Sequence, residues 1–301
     1  MNPQIRYRLG ISLGLTLGFS VIEALAGLLS NSLALLTDAA HNLTDVIALA
    51  LSWFALRAQS RPSGAGNTYG YHRVGILVAL VNSTTLVLVS LGVFYEAYRR
   101  LLNPPEVEAQ ALILVGLLAV VVNLVTALLI RRRGERDLNL RSAFTHLMAD
   151  VASTSAAVVA GILMYFTGAR WLDPLVSALI GVLILRSAWA ILREAVDILL
   201  EATPRDVDLT AMITDILRIP RVLGVHDLHV WSLTDNLRTM SAHVLTDDLP
   251  ISSGSRIQAE ISQLLAEKYH IAHATLQLEC IECDPGALYC ELDDVEVAGL
   301  E

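Results

Sequence analysis

Six apolar runs, each close to the length that crosses a bilayer as a helix, occupy the first two thirds of the chain. They lie near residues 9–29, 33–56, 74–95, 111–130, 143–165 and 172–192. At 1.5 Å rise per residue, about 20 helical residues span the roughly 30 Å hydrocarbon core. Lipid offers no hydrogen bonds to the backbone, so a spanning segment must satisfy its own, as a helix does. The expected fold therefore begins as an α-helical membrane protein with six transmembrane helices. The first run follows Arg6 and Arg8 in the manner of a signal peptide. It is longer than a typical signal core and five similar runs follow, so it is read as a retained span.

The connections agree with this division. Ser30-Asn31-Ser32 makes a tight turn, residues 61–67 form a Gly- and Pro-containing loop, and Asn103-Pro104-Pro105 stops a helix. Arg57, Arg61 and Arg73 flank the second connection, and Arg131, Arg132, Arg133, Arg136 and Arg141 fill the fourth. The positive-inside rule puts these on the cytoplasmic side, with both termini, and leaves Arg99, Arg100 and Arg170 as the minority opposite.

Past Pro204 the pattern changes. A helical stretch at 207–217, strands at 225–233 and 239–245, a helix at 257–269 and a strand at 274–280 predict a small α+β domain of αββαβ, ferredoxin-like type. Charge separates the two parts. The chain is 54% hydrophobic with a net charge of -9; its first 204 residues carry 15 Lys+Arg and 13 Asp+Glu, the remainder 6 and 17. Such an acidic region argues against nucleic acid as a partner. The expected domains are 1–203 in the membrane, 204–283 in the cytoplasm, and an acidic, disordered tail at 284–301. Cys280, Cys283 and Cys290 are too few and too clustered for a disulfide framework.

Two spans carry ionisable residues at one repeated spacing. The second contains His41-Asn42-Leu43-Thr44-Asp45 and the fifth His146-Leu147-Met148-Ala149-Asp150. Residues four apart share a helix face. Two such helices turned toward each other offer two imidazoles and two carboxylates, a tetrahedral set for Zn²⁺. Interhelical hydrogen bonds would also use such residues. Ionisable groups in lipid are expensive, however, on the order of 2.5 to 3.5 kcal/mol for an Asp at mid-helix, and four in two copies of one spacing call for a shared purpose.

The segment Ser32 to Asp45, the run Tyr69-Gly70-Tyr71-His72-Arg73 before the third span and Asp173-Pro174 before the sixth resemble the cation diffusion facilitators. The resemblance covers about residues 8–283. It implies a transport site at His41, Asp45, His146 and Asp150 in the pattern of the zinc-preferring branch, with Cd²⁺ or Co²⁺ as further substrates. It also implies a homodimer joined through the cytoplasmic domain, exchange of metal for protons, and a bacterial inner membrane as the setting. In that domain, His226, His243 and Glu279 are the implied metal ligands. Gly75 stands where the family often has an acidic residue, and residues 131–141 are Arg-rich where zinc-branch members often have histidines.

Weaker candidates come from the residues and, for His72 and His273, from the family resemblance. Cys280-Ile281-Glu282-Cys283 has a chelating spacing that reads equally well as reduced thiols. His72 and His273 are candidates for a site at the membrane junction, Asp38 for the ion's path, and His229 for a plain polar-face strand residue. Glu23 and Asn123 are expected to face the bundle interior. Metal binding expels protons from imidazole and carboxyl groups, so the same four ligands can serve both substrates of an antiporter working by alternating access. An intramembrane hydrolase would need an open coordination position and a separate base, and His-Glu-x-x-His does not occur. A membrane-anchored metal sensor would have no use for ionisable residues at mid-depth.

Overall fold

The computed structural model describes residues 3–131, 138–234 and 236–280, and within its helices leaves out the side chains of 3–13, 15, 49, 52, 129–131 and 138–146. The chain divides into two compact units, Met1–Ser60 with Leu77–Arg193, and Arg61–Ile76 with Glu194–Glu301.

The first unit is built on six long helices: α1 (Pro3–Ser30), α2 (Leu33–Gln59), α3 (Val74–Leu102), α4 (Ala109–Arg131), α5 (Leu138–Thr167) and α6 (Leu172–Leu199). Among the described residues, five have apolar stretches long enough to cross a membrane, and α1 contributes a shorter one at Thr16–Ser30. Large apolar side chains such as Leu88, Leu183, Trp189 and Phe166 point outward. Water would not tolerate such a surface, whereas lipid does. The inner faces carry small residues, including Ala119, Ala127, Ala157, Ala160 and Ala188. This lets α4 lie along α5, and α1 along α2 and α4. At Gly116 a Cβ would come within 2.7 Å of Val158 Cγ2, so α4 and α5 meet there only because the residue is glycine. Leu35, Leu112, Ala157, Met164, Ile180 and Ile184 form the shared core.

Turns follow their sequence signals. Asn31, with φ of 55°, reverses the chain between α1 and α2, and Ser32 caps α2 by accepting from Leu35 N. The helix α3 ends before Asn103-Pro104-Pro105. It runs to Leu102, past the expected 95, because Glu96 pairs with Arg99 and Arg100 along its last turns.

The second unit contains α7 (Leu209–Ile216), β1 (Val222–Thr234), β2 (Leu237–Thr246), α8 (Ile251–Tyr269) and β3 (Ile271–Glu279), the αββαβ order. The sheet order is β1-β2-β3, with β1 and β2 antiparallel and β2 and β3 parallel. Asp208 caps α7 by accepting from Thr210 N and Ala211 N. One sheet face packs Leu228, Val230, Met240, Ala242 and Val244 against Met212, Ile216, Ile257, Ile261 and Leu265 of the helices. The helix α8 starts at Ile251 rather than 257, because its first turn is Ser- and Gly-rich and shows no apolar period. Gly254 lies there, where a Cβ would meet Leu278 Cδ1 at 2.9 Å, so the missing side chain is what lets α8 approach β3.

Candidate functional site

In the first unit, α2 and α5 touch, and the side chains at their contact are ionisable. Helical spacing stacks His41 over Asp45 on α2, and His41 Nε2 lies 3.5 Å from Asp45 Oδ2. Across the helix pair, His41 Nε2 is 3.7 Å from Asp150 Oδ1 of α5. Asp150 is 6% exposed. Ligand atoms about 2.05 Å from a tetrahedral Zn²⁺ are separated by about 3.3 Å, so these two distances are near those of groups sharing one ion. His146 belongs to α5, one turn before Asp150; its side chain lies outside the described residues.

Behind this cluster is a second polar layer. Thr154 Oγ1, one turn beyond Asp150, donates to Asp38 Oδ2 at 2.9 Å and to the Asp150 carbonyl at 2.8 Å. Asn42 Nδ2 donates to Glu23 Oε2 of α1 at 3.2 Å. Asn42 therefore bonds Glu23, and the donor to Asp38 comes from α5. Neither Glu23 nor Thr154 had an assigned role on sequence grounds. Their only signal was a carboxyl and a hydroxyl on the interior faces of apolar helices.

In the second unit the sheet register builds another cluster. His226 of β1 pairs with His243 of β2, and Leu245 pairs with Glu279 of β3. Directly paired and next-but-one residues share a face, so these three side chains emerge together on the face away from α7 and α8. His243 Nδ1 is 3.0 Å from Glu279 Oε1, and His226 Nε2 is 3.2 Å from Glu279 Oε2. Their ligand atoms all fall within 4.8 Å of one another. His226 Nε2 and Glu279 Oε2 are inaccessible and make no hydrogen bond. Buried polar atoms this close without a hydrogen bond fit an ion placed between them.

A bulge between His226 and His229, with Asp227 at φ of 47°, shifts the alternation of β1. It brings His229 to the same face as His226 while Leu228 and Val230 stay in the core. The Asp227 carboxylate then sits 3.0 Å from His229 Nε2 and 3.6 Å from His243 Nε2. No sequence signal announces this bulge.

The weaker candidates are placed apart. Cys280 is exposed at the end of β3, and Cys283 lies outside the described residues. The ring packed edge-on against His273 is that of Tyr69, at 6.4 Å, while His72 sits in the turn before α3.

Comparison with known proteins accounts for both units. The family model described as the cation efflux transmembrane domain matches residues 9–200, and that described as the cation efflux protein, cytoplasmic domain, matches residues 204–280. The metal cation efflux system protein CzcD of Cupriavidus metallidurans is 35% identical over 276 residues, covering 92% of this chain and 87% of that protein. The cadmium, cobalt and zinc/H(+)-K(+) antiporter of Bacillus subtilis is 37% identical over 272 residues, covering 89% and 87%. The zinc transporter ZitB of Escherichia coli is 34% identical over 278 residues, covering 92% and 88%. A solved metal-bound C-terminal domain of the CzcD transporter also matches, at 37% identity and a TM-score of 0.22, over 24% of this chain and 99% of that one. With a helical membrane unit, a small α+β unit and matches across nearly its whole length, the chain belongs to the cation efflux family, the cation diffusion facilitators.

Proposed function

We propose that the protein exports Zn²⁺ from the cytoplasm in exchange for protons, by alternating access around His41, Asp45, His146 and Asp150. The observation that carries this reading is the convergence of His41, Asp45 and Asp150 from two helices at 3.5 and 3.7 Å. The names of the relatives support a divalent transition metal as substrate, with Cd²⁺ and Co²⁺ beside Zn²⁺, and one of them names H⁺ and K⁺ as coupled ions. Imidazole with carboxylate is a donor set suited to Zn²⁺.

The ligands bind metal as neutral imidazole and ionised carboxylate, so arriving metal displaces protons and returning protons displace metal. Rocking of helices about the site would expose it to each side in turn. The setting is a bacterial inner membrane, with both termini cytoplasmic. In the cytoplasmic domain, which joins two copies of the chain, His226, His243 and Glu279 would hold a resident Zn²⁺. That ion would cross-link β1, β2 and β3 at one end of the sheet. The domain limits 1–203 and 204–283 belong to the same reading.

Purified protein in sealed vesicles provides the test. Zinc entering the lumen should be matched by protons leaving it, and Asp45→Ala should abolish the flux while leaving the melting temperature within a few degrees of the parent. Normal flux in Asp45→Ala would overturn the site. Zinc-dependent hydrolysis without flux would favour an intramembrane enzyme instead.

A further inference from the structure

Two buried carboxyl groups stand next to the His41 cluster, and among the described residues no Lys or Arg pairs with either of them. Glu23 of α1 is fully buried and Asp38 of α2 is 3% exposed. Glu23 accepts from Asn42, one turn beyond Asp38 on α2, so the two carboxyls share one face of the contact between α1 and α2. Glu23 Oε1 is shielded from solvent and receives no donor. Among the described residues, ion pairs in this unit join His41 to Asp45 and Asp150, Glu96 to Arg99 and Arg100, Arg100 to Asp173, and Arg170 to Glu106, and none reaches Glu23 or Asp38. The groups facing the pair are Asn42 and His41 from α2, and Thr154 and Asp150 from α5.

Two facing carboxylates in an apolar bundle repel strongly unless a cation sits with them. The oxygens here are all hard: two carboxyls and the Thr154 hydroxyl, with the Asn42 amide presenting its Nδ2 hydrogen to Glu23. Without imidazole or thiolate the set suits a proton or an alkali cation better than a transition metal. We infer that Glu23 and Asp38 form the station for the countertransported monovalent cation, about one helical turn from the metal ligands. The inference rests on the efflux reading above, in which the metal ligands themselves exchange protons, and adds to it a second binding place for the countercation.

The geometry also supplies the coupling. Thr154 ties the two places together, since its hydroxyl reaches both Asp38 and the Asp150 carbonyl. A dication at His41, Asp45 and Asp150 would repel a cation at Glu23 and Asp38, and the reverse holds equally. Mutual exclusion of this kind produces exchange rather than cotransport.

The experiment compares wild type, Glu23→Gln and Glu23→Asp in vesicles by two measurements. One is zinc-for-zinc exchange, which needs no countercation; the other is net zinc uptake driven by a cation gradient. The glutamine variant keeps the acceptor for Asn42. It should retain exchange and lose at least about tenfold of driven uptake, and Glu23→Asp should restore part of that loss. A pH gradient in potassium-free choline medium and a K⁺ gradient at equal pH separate the two cations. Driven uptake at the wild-type rate in Glu23→Gln under both gradients would overturn the station. Loss of exchange in both variants would also overturn it, by placing Glu23 in the metal path or the fold. Wild-type protein that shows no zinc exchange at all would instead sink the efflux reading beneath it.

Discussion

Asp173, on the first turn of α6, accepts a 2.7 Å hydrogen bond from Ser32 Oγ, the N-cap residue of α2. It also accepts from Leu33 N at 2.8 Å and Ala34 N at 3.2 Å, and it is fully buried. One carboxylate thus answers the free amides at the start of the helix that carries His41 and Asp45, where the helix dipole favours negative charge. The start of α2 depends on a residue more than a hundred positions away. Asp173→Ala leaves those donors unsatisfied and should destabilise the membrane unit by about 2 kcal/mol. Thermal unfolding in detergent should show a lowered melting temperature, with Asp173→Asn intermediate. An unchanged temperature in the alanine variant would deny Asp173 its capping role.

His41 and Asp150 meet across α2 and α5, and their identities should set metal preference. Exchanging His41 for Asp replaces nitrogen by a harder oxygen donor and moves the site toward Mn²⁺. His41→Asp should lower zinc flux by roughly 10- to 100-fold, the scale seen even for outer-shell changes at metal sites. It should raise the Mn²⁺ to Zn²⁺ flux ratio. A competition flux assay with both ions present measures it, and a variant that keeps the parent's ratio would remove His41 from the selectivity site.

How much of this was open to sequence reading depended on whether the deciding interaction was local. The six helices were visible because a bilayer demands about 20 apolar residues in a row. Their ends were not, since in α3 the pairs of Glu96 with Arg99 and Arg100 carry the helix past Tyr95, where the expected apolar run stops, to Leu102. The spacing of His41 and Asp45 announces a shared face, but not that the face meets Asp150, which requires α2 to pack on α5. The bond from Asn42 to Glu23 was hidden for the same reason. In the sheet, His226, His243 and Glu279 came together only once the register was known. His229 read as an ordinary strand residue because the bulge at Asp227 leaves no mark in composition or periodicity.

Metal binding in the α+β unit can be followed through stability. A ligand that binds only the folded state stabilises it by about 2.7 kcal/mol at a hundred times its dissociation constant. Added Zn²⁺ should therefore raise the unfolding temperature of this unit in the full-length protein. His243→Ala should abolish the rise, because His243 Nδ1 and Glu279 Oε1 are 3.0 Å apart at the centre of the cluster. Cys280→Ser, changing an exposed thiol, should leave the rise intact. A zinc response that survives His243→Ala would place the metal elsewhere.

The last prediction concerns pH and the joint between α7 and α8. Asp215 accepts from Lys268 Nζ, from Tyr269 Oη at 2.6 Å and from Arg218 Nη1 at 3.0 Å. The Lys268 ammonium, then the Tyr269 hydroxyl, hold the Asp215 carboxyl below its usual range. Burial, then the hydrogen bond to Asp215, pushes the Tyr269 phenol up to about 12 from 10.0. The two shifts act at opposite ends of the pH scale. Asp215 binds its proton less readily when folded, so its contribution is present above the unfolded value and lost as pH falls through the folded one. Tyr269 keeps its proton longer when folded, so its contribution is complete below pH 10 and is lost as pH rises toward about 12. Unfolding temperatures of full-length protein should therefore fall at both extremes. Tyr269→Phe should flatten the alkaline decline between pH 10 and 12 while leaving an acid decline, and Asp215→Asn should weaken both, since it removes the acceptor that Tyr269 uses. An alkaline limb identical in the parent and in Tyr269→Phe would show that this hydroxyl does not couple folding to pH.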